Sequence, residues 1–300
     1  MESSLKRQRI DDSSNVLGAD KIKQNDSNTV SESSRSLVHI NRIESSIFGT
    51  KPSDDFFRHI SAFLYEHAIV DNLEIEGKLG IIYDKNLKSR VNFPVLTETI
   101  LAKDVKGNYI FKTDMSEIQH KNFNKMLNSR FCETQNPKYF GSKIGYSHTK
   151  EIDTYYNDGG VRIRVTRDQV TGEILGAITK KQISHLDIYS PKTSLDFRIS
   201  INQEIPVEVK EGLTSNYERR KDRISYSQDY YRIDLTKVIS AKNKNTPSEL
   251  KTSHELEVEI QNTTAFKENL NKAMQNQPNK FNEIVQAFIG NLKVLAKNSI

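Results

Sequence analysis

The sequence predicts a protein of the α+β class that is mainly β: an antiparallel sheet or barrel of about eight strands with flanking helices. About eight segments alternate apolar with polar residues at the period of two that strands require, and turn-like residues separate them, with few helices between. In the later segments the polar positions carry charges of both signs. If helices cover the aliphatic outside of the barrel, these charged rows lie inside it.

The predicted elements follow from the spacing of the apolar residues. Strands are predicted over residues 73–80, 143–156, 160–168, 174–189, 196–204, 219–228, 230–239 and 254–260, and strands or loop edges over 92–101 and 109–112. Three amphipathic helices are predicted over residues 53–68, 116–130 and 282–297. We expect the apolar stripe of each helix to be core, and the last helix to flank or plug the barrel.

Two parts of the chain differ in composition. Residues 1–38 are rich in Ser, Asn and Asp and contain no aromatic residue, so they cannot bury enough apolar area to fold. We predict a disordered tail there and one catalytic domain over residues 39–300. Within the tail, Lys6-Arg-Gln-Arg9 is a weak candidate for a nuclear-import patch, because such short basic clusters are common by chance.

The overall composition limits the functional classes. The formal charge of +5, from 44 basic and 39 acidic residues, permits an anionic partner without making the chain polybasic. The single cysteine, Cys132, excludes an internal disulfide framework and fits a reducing compartment. No run approaches the roughly 18 apolar residues of a membrane span, so we expect a soluble intracellular protein.

The strand near the C-terminus concentrates three acids. Glu255, Glu257 and Glu259 alternate with aliphatic residues, so on a strand all three carboxylates share one face, roughly 7 Å apart. Such a row needs a divalent cation or a set of Lys and Arg residues opposite it. For one such segment alone, a solvent-exposed strand face is the simpler interpretation.

A second segment uses the same pattern at the other end of the predicted domain. Glu74, Glu76 and Lys78 share one face of their strand. Arg162, Arg164, Lys180, Lys221 and Arg223 lie on strands between the two acidic segments. Two acidic rows with basic strands between them favour a polar barrel interior over two unrelated exposed faces.

Such an interior predicts chemistry on polyphosphates. Oxygen ligands without a His/Cys cluster select Mg²⁺ or Mn²⁺, and nearby Lys and Arg side chains bind an anion. The metal and the cations would neutralise charge on a transferring phosphoryl group while a carboxylate orients the attacking water. This predicts hydrolysis of a phosphoanhydride. No glycine-rich P-loop is present in the sequence.

Seven motifs in order give the sequence a specific resemblance across residues 50–262. They are Glu74-Ile-Glu-Gly-Lys-Leu-Gly80, Arg164 with Thr171-Gly172, Lys180 through Tyr189-Ser-Pro191, Ile199-Ser-Ile-Asn-Gln-Glu-Ile-Pro206, Lys221-Asp-Arg-Ile-Ser-Tyr226, Arg232-Ile-Asp-Leu-Thr-Lys-Val238 and His254-Glu-Leu-Glu-Val-Glu-Ile260. They resemble the fungal RNA 5′-triphosphatases, the β subunit of the mRNA-capping enzyme, among the triphosphate tunnel metalloenzymes. The resemblance implies a closed eight-stranded antiparallel β-barrel, the triphosphate tunnel, whose interior binds the triphosphate and the metal. It also implies removal of the γ-phosphate of triphosphate-ended RNA, with NTP hydrolysis when Mn²⁺ is supplied.

The resemblance also implies a role for each matching residue. Metal ligands are expected at Glu74, Glu76 and Glu259. Glu257 matches an acid that contacts metal-bound water, and Glu204 one that positions the nucleophilic water. Phosphate-contacting or tunnel-supporting positions fall on Arg164, Lys180, Lys221 and Arg223. Supporting or phosphate-binding roles are expected for Lys78, Arg198, Arg232, Asp234, Thr236 and Glu255. A lysine is expected where Arg198 stands, and the change keeps the charge but not the geometry.

One departure concerns partners. The larger yeast capping subunits bind mRNA guanylyltransferase through a segment that contains tryptophan, whereas this chain has none. Docking to guanylyltransferase is therefore in question, and a smaller paralogue acting as a general polynucleotide 5′-triphosphatase is an alternative. Family analogy implies a homodimer, and a role in capping implies the nucleus, with the cytoplasm as an alternative. No membrane partner is expected.

Two other functions remain open at this point. A tunnel reads charge and not base sequence, so the substrate could be inorganic polyphosphate or a small-molecule triphosphate. Alternatively, the barrel could bind RNA without catalysis, with Tyr155-Tyr156 or Tyr230-Tyr231 as exposed stacking residues. A comparison of RNA, ATP and tripolyphosphate as substrates separates these hypotheses.

Overall fold

The computed structural model describes residues 43–52, 54–103, 107–209, 212–241 and 250–299, except the side chain of Asn216. The predicted tail and the Lys6-Arg-Gln-Arg9 patch lie outside the described residues. The chain divides into two units at Pro52, and residues 53–300 form the larger one. In the smaller unit, the described residues include a turn in which the Gly49 amide donates to the Ser46 carbonyl at 3.1 Å. Among the described residues, no helix combines the length and apolar character needed to cross a membrane.

Strands dominate the larger unit. The strands are β1 (Leu73–Asp84), β2 (Ser89–Arg90), β3 (Thr99–Ile100), β4 (Tyr109–Lys112), β5 (Gly145–Asp158), β6 (Val161–Asp168), β7 (Ile174–Tyr189), β8 (Asp196–Pro206), β9 (Ser215–Gln228), β10 (Tyr231–Ala241) and β11 (Lys251–Ile260). The helices are α1 (Asp55–His67), α2 (Glu117–Gln135), α3 (Thr263–Met274) and α4 (Phe281–Lys297). Every long predicted strand is present, and most extend a few residues beyond the predicted bounds.

Eight of the strands close into a barrel. They pair in the order β11, β10, β9, β5, β6, β7, β8 and β1, all antiparallel, and β1 pairs again with β11 to complete the circle. In that closing pair, Glu76 lies directly opposite Glu259 and Lys78 opposite Glu257. The short strands β2 and β4 pair with β1, and β3 pairs with β7. The predicted eight-stranded antiparallel barrel is confirmed.

The apolar core lies outside the barrel, between its aliphatic face and the helices. Ile75, Leu79 and Val258 point outward from β1 and β11 and are completely buried, as are Phe288 and Leu292 on α4. Burying each such side chain contributes about 1.5–3 kcal/mol, so the helices stabilise the barrel from its apolar side. The side chains that alternate with these point inward, which leaves the interior polar.

The helices begin and end largely where the sequence predicts. The Asp54 carboxylate caps α1, and Ser116 with Gln119 forms a capping box at the start of α2. Cys132 lies exposed on α2, which continues beyond the predicted end to Gln135. Helix α4 flanks the barrel by packing on β1, β8 and β11. Helix α3 was not predicted, because only Phe266 and Leu270 supply its buried apolar face.

A glycine on β1 allows close packing of a neighbouring strand. A Cβ atom at Gly80 would lie 2.1 Å from the Lys112 carbonyl oxygen on β4, and backbone cannot move aside as a side-chain end can. We expect Gly80→Ala to lower the free energy of unfolding by about 1–3 kcal/mol, measured by urea unfolding. Gly176→Ala on β7 is the matched control, since nothing lies within 4 Å of its Cβ position. Equal losses in the two variants would contradict the close packing of β4 on β1.

Candidate active site

The barrel holds a cavity of about 150 Å³, and every described residue that lines it has a polar or charged side chain. Each of the eight barrel strands contributes at least one residue to it. The lining residues are Glu74, Glu76, Lys78, Glu151, Arg164, Thr166, Lys180, Glu204, Arg219, Lys221, Arg223, Arg232, Asp234, Thr236, Glu255, Glu257 and Glu259. Because the charged side chains alternate with the outward aliphatic ones, the packing of the helices on the outside fixes this charged interior.

All the predicted site residues except Arg198 line this cavity. The guanidinium of Arg198 instead binds the Asp187 carboxylate through two hydrogen bonds of 2.6 and 2.8 Å. Its central carbon also lies 4.9 Å from the centre of the Phe111 ring. The structure therefore holds Arg198 apart from the other predicted residues.

Three lining residues are not among the predicted site residues: Glu151, Thr166 and Arg219. Arg219 binds both oxygens of Glu255, at 2.7 and 2.8 Å, so it supplies the cation that the C-terminal acidic strand was expected to need. The alternation of β5, β6 and β9 was the signal that could have found them. Glu151 shares a face with buried Asp153, and Arg219 shares one with Lys221.

An acidic group lies where β1 meets β11. Glu76 is directly opposite Glu259, and Glu74 is two residues along the same face of β1. The Asn202 amide on neighbouring β8 donates to both Glu74, at 2.8 Å, and Glu76, at 2.9 Å. Its two hydrogen bonds hold the carboxylates side by side despite their like charge.

The acidic group shifts the pKa values of its own members. Burial raises the pKa of Glu259 to about 7, and the nearby Glu74, Asp234 and Glu257 carboxylates add to the rise against the opposing effect of Arg232. Burial also raises the pKa of Glu76, although Lys78 opposes it. Clustered carboxylates at a buried site favour the binding of a cation at that site.

The pKa of Glu257 is lowered, whereas the pKa values of Glu76 and Glu259 are raised. Burial opposes the ionisation of Glu257, but the Lys78 ammonium, 3.0 Å away, outweighs burial and lowers the Glu257 pKa below its ordinary value. Lys78 also contacts Glu76 at 3.1 Å, and these two carboxylates raise the Lys78 pKa against the effect of burial. Both groups of the Lys78–Glu257 pair are therefore charged near neutral pH.

Two cations, Arg164 on β6 and Lys180 on β7, contact carboxylates of the cavity. Arg164 donates to Glu204 at 3.0 Å. Lys180 binds Glu74 and lies 3.4 Å from Glu76 and 3.7 Å from Glu204, so one ammonium contacts carboxylates from two strands. Against the effect of burial, these partners raise the pKa of Arg164 and Lys180, which keeps both side chains charged.

A second set of cations lies along β9 and β10. Lys221 binds the completely buried Asp153, which also accepts a hydrogen bond of 2.7 Å from Thr166. Arg223 lies 3.7 Å from Asp234. Asp234 in turn accepts hydrogen bonds from Ser225 at 2.7 Å and from Arg232 at 3.0 Å, and Arg232 also binds Glu259. This network fixes the cations in place.

The donors present fit both a hard divalent cation and a polyphosphate. Glu74, Glu76 and Glu259 offer oxygen ligands only, which suits Mg²⁺ or Mn²⁺. Within the described residues, no three His, Cys, Asp or Glu side chains are arranged to hold a metal ion. Lys180 binds Glu74, and Arg232 binds Glu259. A triphosphate entering the cavity would offer those cations other anionic partners and leave the three carboxylates to a metal.

A closed antiparallel barrel with acids and cations facing across its interior defines the triphosphate tunnel enzymes. The family model described as "mRNA capping enzyme, beta chain" matches residues 50–299. The chain therefore belongs to the β-chain family of mRNA-capping enzymes, and the family and fold predicted from the seven motifs are confirmed.

Individual relatives agree with this assignment. The chain is 31% identical to the mRNA-capping enzyme subunit beta of Schizosaccharomyces pombe over 98% of this chain and 94% of that protein. It is 33% identical to the Cryptococcus neoformans subunit over 84% of this chain but only 64% of that longer protein. The structure of the S. pombe Pct1 RNA triphosphatase matches with a TM-score of 0.77 and 32% identity, over 86% of this chain and 99% of the chain in that structure. Pct1 in complex with the Spt5 CTD matches with a TM-score of 0.76.

Proposed function

We propose that the protein hydrolyses the terminal phosphoanhydride of triphosphate-ended RNA and leaves a diphosphate end, the first step of mRNA cap formation. The observation that carries this proposal is the barrel cavity, in which carboxylates of β1 and β11 face cations of β6, β7 and β9. The prediction that the chain is an RNA 5′-triphosphatase is confirmed by its relative Pct1, which is an RNA triphosphatase.

The cations of the cavity bind and orient the triphosphate. Arg164, Lys180, Lys221 and Arg223 come from three strands and point into the same small space. Charge moves toward the phosphate oxygens and the leaving diphosphate as the bond breaks, so fixed cations stabilise the transition state more than the ground state. Because the strands hold them in place, no reorganisation is needed during the reaction.

Glu204 orients the attacking water. Its carboxylate is held by Arg164 at 3.0 Å and lies 3.7 Å from Lys180. A carboxylate fixed beside two cations that bind phosphate can accept the hydrogen bond of a water aimed at the γ-phosphorus. Glu257, kept ionised by Lys78, supplies a second acceptor on the acidic side.

Glu74, Glu76 and Glu259 would hold the divalent metal. Bound there, Mg²⁺ or Mn²⁺ would neutralise charge on the triphosphate and on the leaving group. The carboxylates themselves define the site, because Asn202 orients Glu74 and Glu76 while β-strand pairing fixes Glu259 opposite. We extend the proposal to NTP hydrolysis with Mn²⁺, since the described residues that line the cavity present charged and hydroxyl groups, which bind phosphate oxygens whatever the base.

The proposed partners follow from the family. The relatives are β subunits of mRNA-capping enzymes, so we propose that this chain acts together with a guanylyltransferase in the nucleus. Because the chain has no tryptophan, such docking would not use the tryptophan-containing segment of the larger yeast subunits. Pct1 forms a complex with the Spt5 CTD, and we propose the same class of partner here, together with a homodimer.

A substrate and metal panel tests the proposal. We expect phosphate release from triphosphate-ended RNA in Mg²⁺ or Mn²⁺, its loss by at least about 100-fold after chelation, and its recovery when either metal is restored. ATP and inorganic tripolyphosphate are assayed in parallel. Hydrolysis of tripolyphosphate alone would favour an inorganic polyphosphatase, and RNA binding without hydrolysis of any of the three substrates would favour a non-catalytic barrel.

A further inference from the structure

Two tyrosines and an arginine form a cluster that has no role in the chemistry above. The cluster consists of Tyr155 on β5, Tyr217 on β9 and Arg162 on β6. In the strand pairing, Tyr155 lies directly opposite Tyr217 on one side and Arg164 on the other. The ring centroids of the two tyrosines are 5.6 Å apart, with the rings tilted by 44°. The central guanidinium carbon of Arg162 lies 4.2 Å from the centre of the Tyr155 ring and 5.9 Å from that of Tyr217.

This cluster adjoins the cavity. On β5, Tyr155 lies four residues after Glu151 in a regularly paired stretch, so it is on the same face as Glu151. On β9, Tyr217 lies two residues before Arg219 and is on the same face as Arg219. Both tyrosine rings are therefore on the inward faces of their strands. Against the effect of burial, the nearby Glu255 carboxylate and then the Tyr155 side chain raise the pKa of Arg219, which lines the cavity, so Tyr155 lies close to a lining residue. The two rings therefore lie next to the ring of charges, at the edge of the cavity.

The cluster differs chemically from everything else around the cavity. Among the residues that the structure describes, the lining contains charged and hydroxyl groups but no aromatic ring. Tyr155 and Tyr217, by contrast, are half-buried rings, and Arg162 is exposed to solvent. Aromatic faces and guanidinium planes are the groups on which proteins stack nucleobases, largely without regard to base identity. The other tyrosine pair considered in the sequence is occupied elsewhere, since Tyr230 and Tyr231 pack against the core.

We propose that Tyr155, Tyr217 and Arg162 bind the first nucleoside of the substrate by stacking on its base. The proposal rests on the proposed function, because it assigns the nucleoside to this edge while the triphosphate occupies the charged cavity. It gives the site a means of distinguishing a nucleotide-ended substrate from inorganic polyphosphate, with little preference among the four bases.

Binding of two probes by calorimetry tests this proposal. The probes are ATP with a β,γ-imido bridge, which resists hydrolysis, and inorganic triphosphate with the same bridge. We expect Tyr217→Ala to raise the Kd of the nucleotide probe more than that of the inorganic probe. The factor of increase for the nucleotide probe is expected to be at least about five times the factor for the inorganic probe. Arg162→Gln is expected to act in the same direction, and Tyr217→Phe to retain wild-type binding because it keeps the ring.

Tyr156→Ala serves as the matched control, because Tyr156 is paired with Ile163 of β6 and is not among the residues that line the cavity. Its two Kd values are expected to change by the same factor. The stacking proposal would be overturned if Tyr217→Ala and Arg162→Gln changed the Kd values of the two probes by the same factor. It would also be overturned if neither variant changed either Kd. Failure of the proposed function would look different: the wild-type protein would bind the probes but release no phosphate from RNA.

Discussion

Replacing Glu76 or Glu259 by alanine is expected to lower kcat for phosphate release from triphosphate-ended RNA by at least about 100-fold, or about 2.7 kcal/mol of transition-state stabilisation. The two carboxylates lie directly opposite each other across the strand pair that closes the barrel, and Asn202 and Arg232 hold them there. Removing either one takes away a ligand that the proposed metal needs. The measurement is initial-rate phosphate release in Mg²⁺ and in Mn²⁺.

The control variants separate loss of chemistry from loss of fold. Glu76→Gln keeps the size of the side chain and an oxygen that can accept from Asn202, and we expect it to be nearly as inactive as Glu76→Ala. Glu133→Ala on α2 removes an exposed carboxylate from a surface ion pair and is expected to behave as wild type. If Glu76→Ala and Glu259→Ala remain fully active while folded, the assignment of the metal ligands is wrong.

The buried pair between Lys221 and Asp153 is expected to dominate the stability of the barrel interior. Asp153 is completely buried, and Lys221 is nearly so. Asp153→Asn leaves the ammonium without a counter-charge, and breaking a buried pair in this way costs about 3–5 kcal/mol of unfolding free energy. Urea unfolding measures the loss, and Asp153→Asn/Lys221→Met is expected to recover most of it because neither charge remains.

The pH dependence of this effect has a defined sign. Burial alone would raise the pKa of Asp153, but Lys221 and the Thr166 hydroxyl outweigh burial and lower it. Because the Asp153 pKa is lower in the folded protein than the value of about 3.9 in the unfolded chain, its ionisation stabilises the fold at pH values above about 3.9. This stabilisation is lost as the pH falls through the pKa of Asp153 in the folded protein. The difference in unfolding free energy between wild type and Asp153→Asn should therefore narrow below about pH 4. A single-variant loss under about 1 kcal/mol at neutral pH would contradict the account.

The alternation of charged and aliphatic residues was sufficient to predict the long strands and which of their faces is polar, whereas the closed barrel was predicted from the seven motifs that resemble the family. It assigned Glu74, Glu76 and Glu259 to inward faces because side-chain direction depends only on the period of two. The sequence could not predict that Glu76 pairs with Glu259. That register depends on how β11 closes against β1.

The position of each side chain along the barrel axis was the property least predictable from the sequence. Arg198 shares a strand face with Glu204, yet it is bound by Asp187 and lies outside the cavity lining. The position of a side chain along a tilted strand depends on the stagger of every pair around the barrel, which one strand does not encode. Tyr217 was missed for a local reason: the strand was predicted to begin at Arg219, and it begins at Ser215.

The most direct test of the central claim is the identity of both products of wild-type protein acting on triphosphate-ended RNA. Attack of water at the γ-phosphorus predicts orthophosphate and diphosphate-ended RNA in equal amounts, in the presence of Mg²⁺ or Mn²⁺. Pyrophosphate with monophosphate-ended RNA would place the attack at the other anhydride and contradict the arrangement proposed for Glu204 and the cations. No product at all from folded protein with either metal would contradict the proposed function itself.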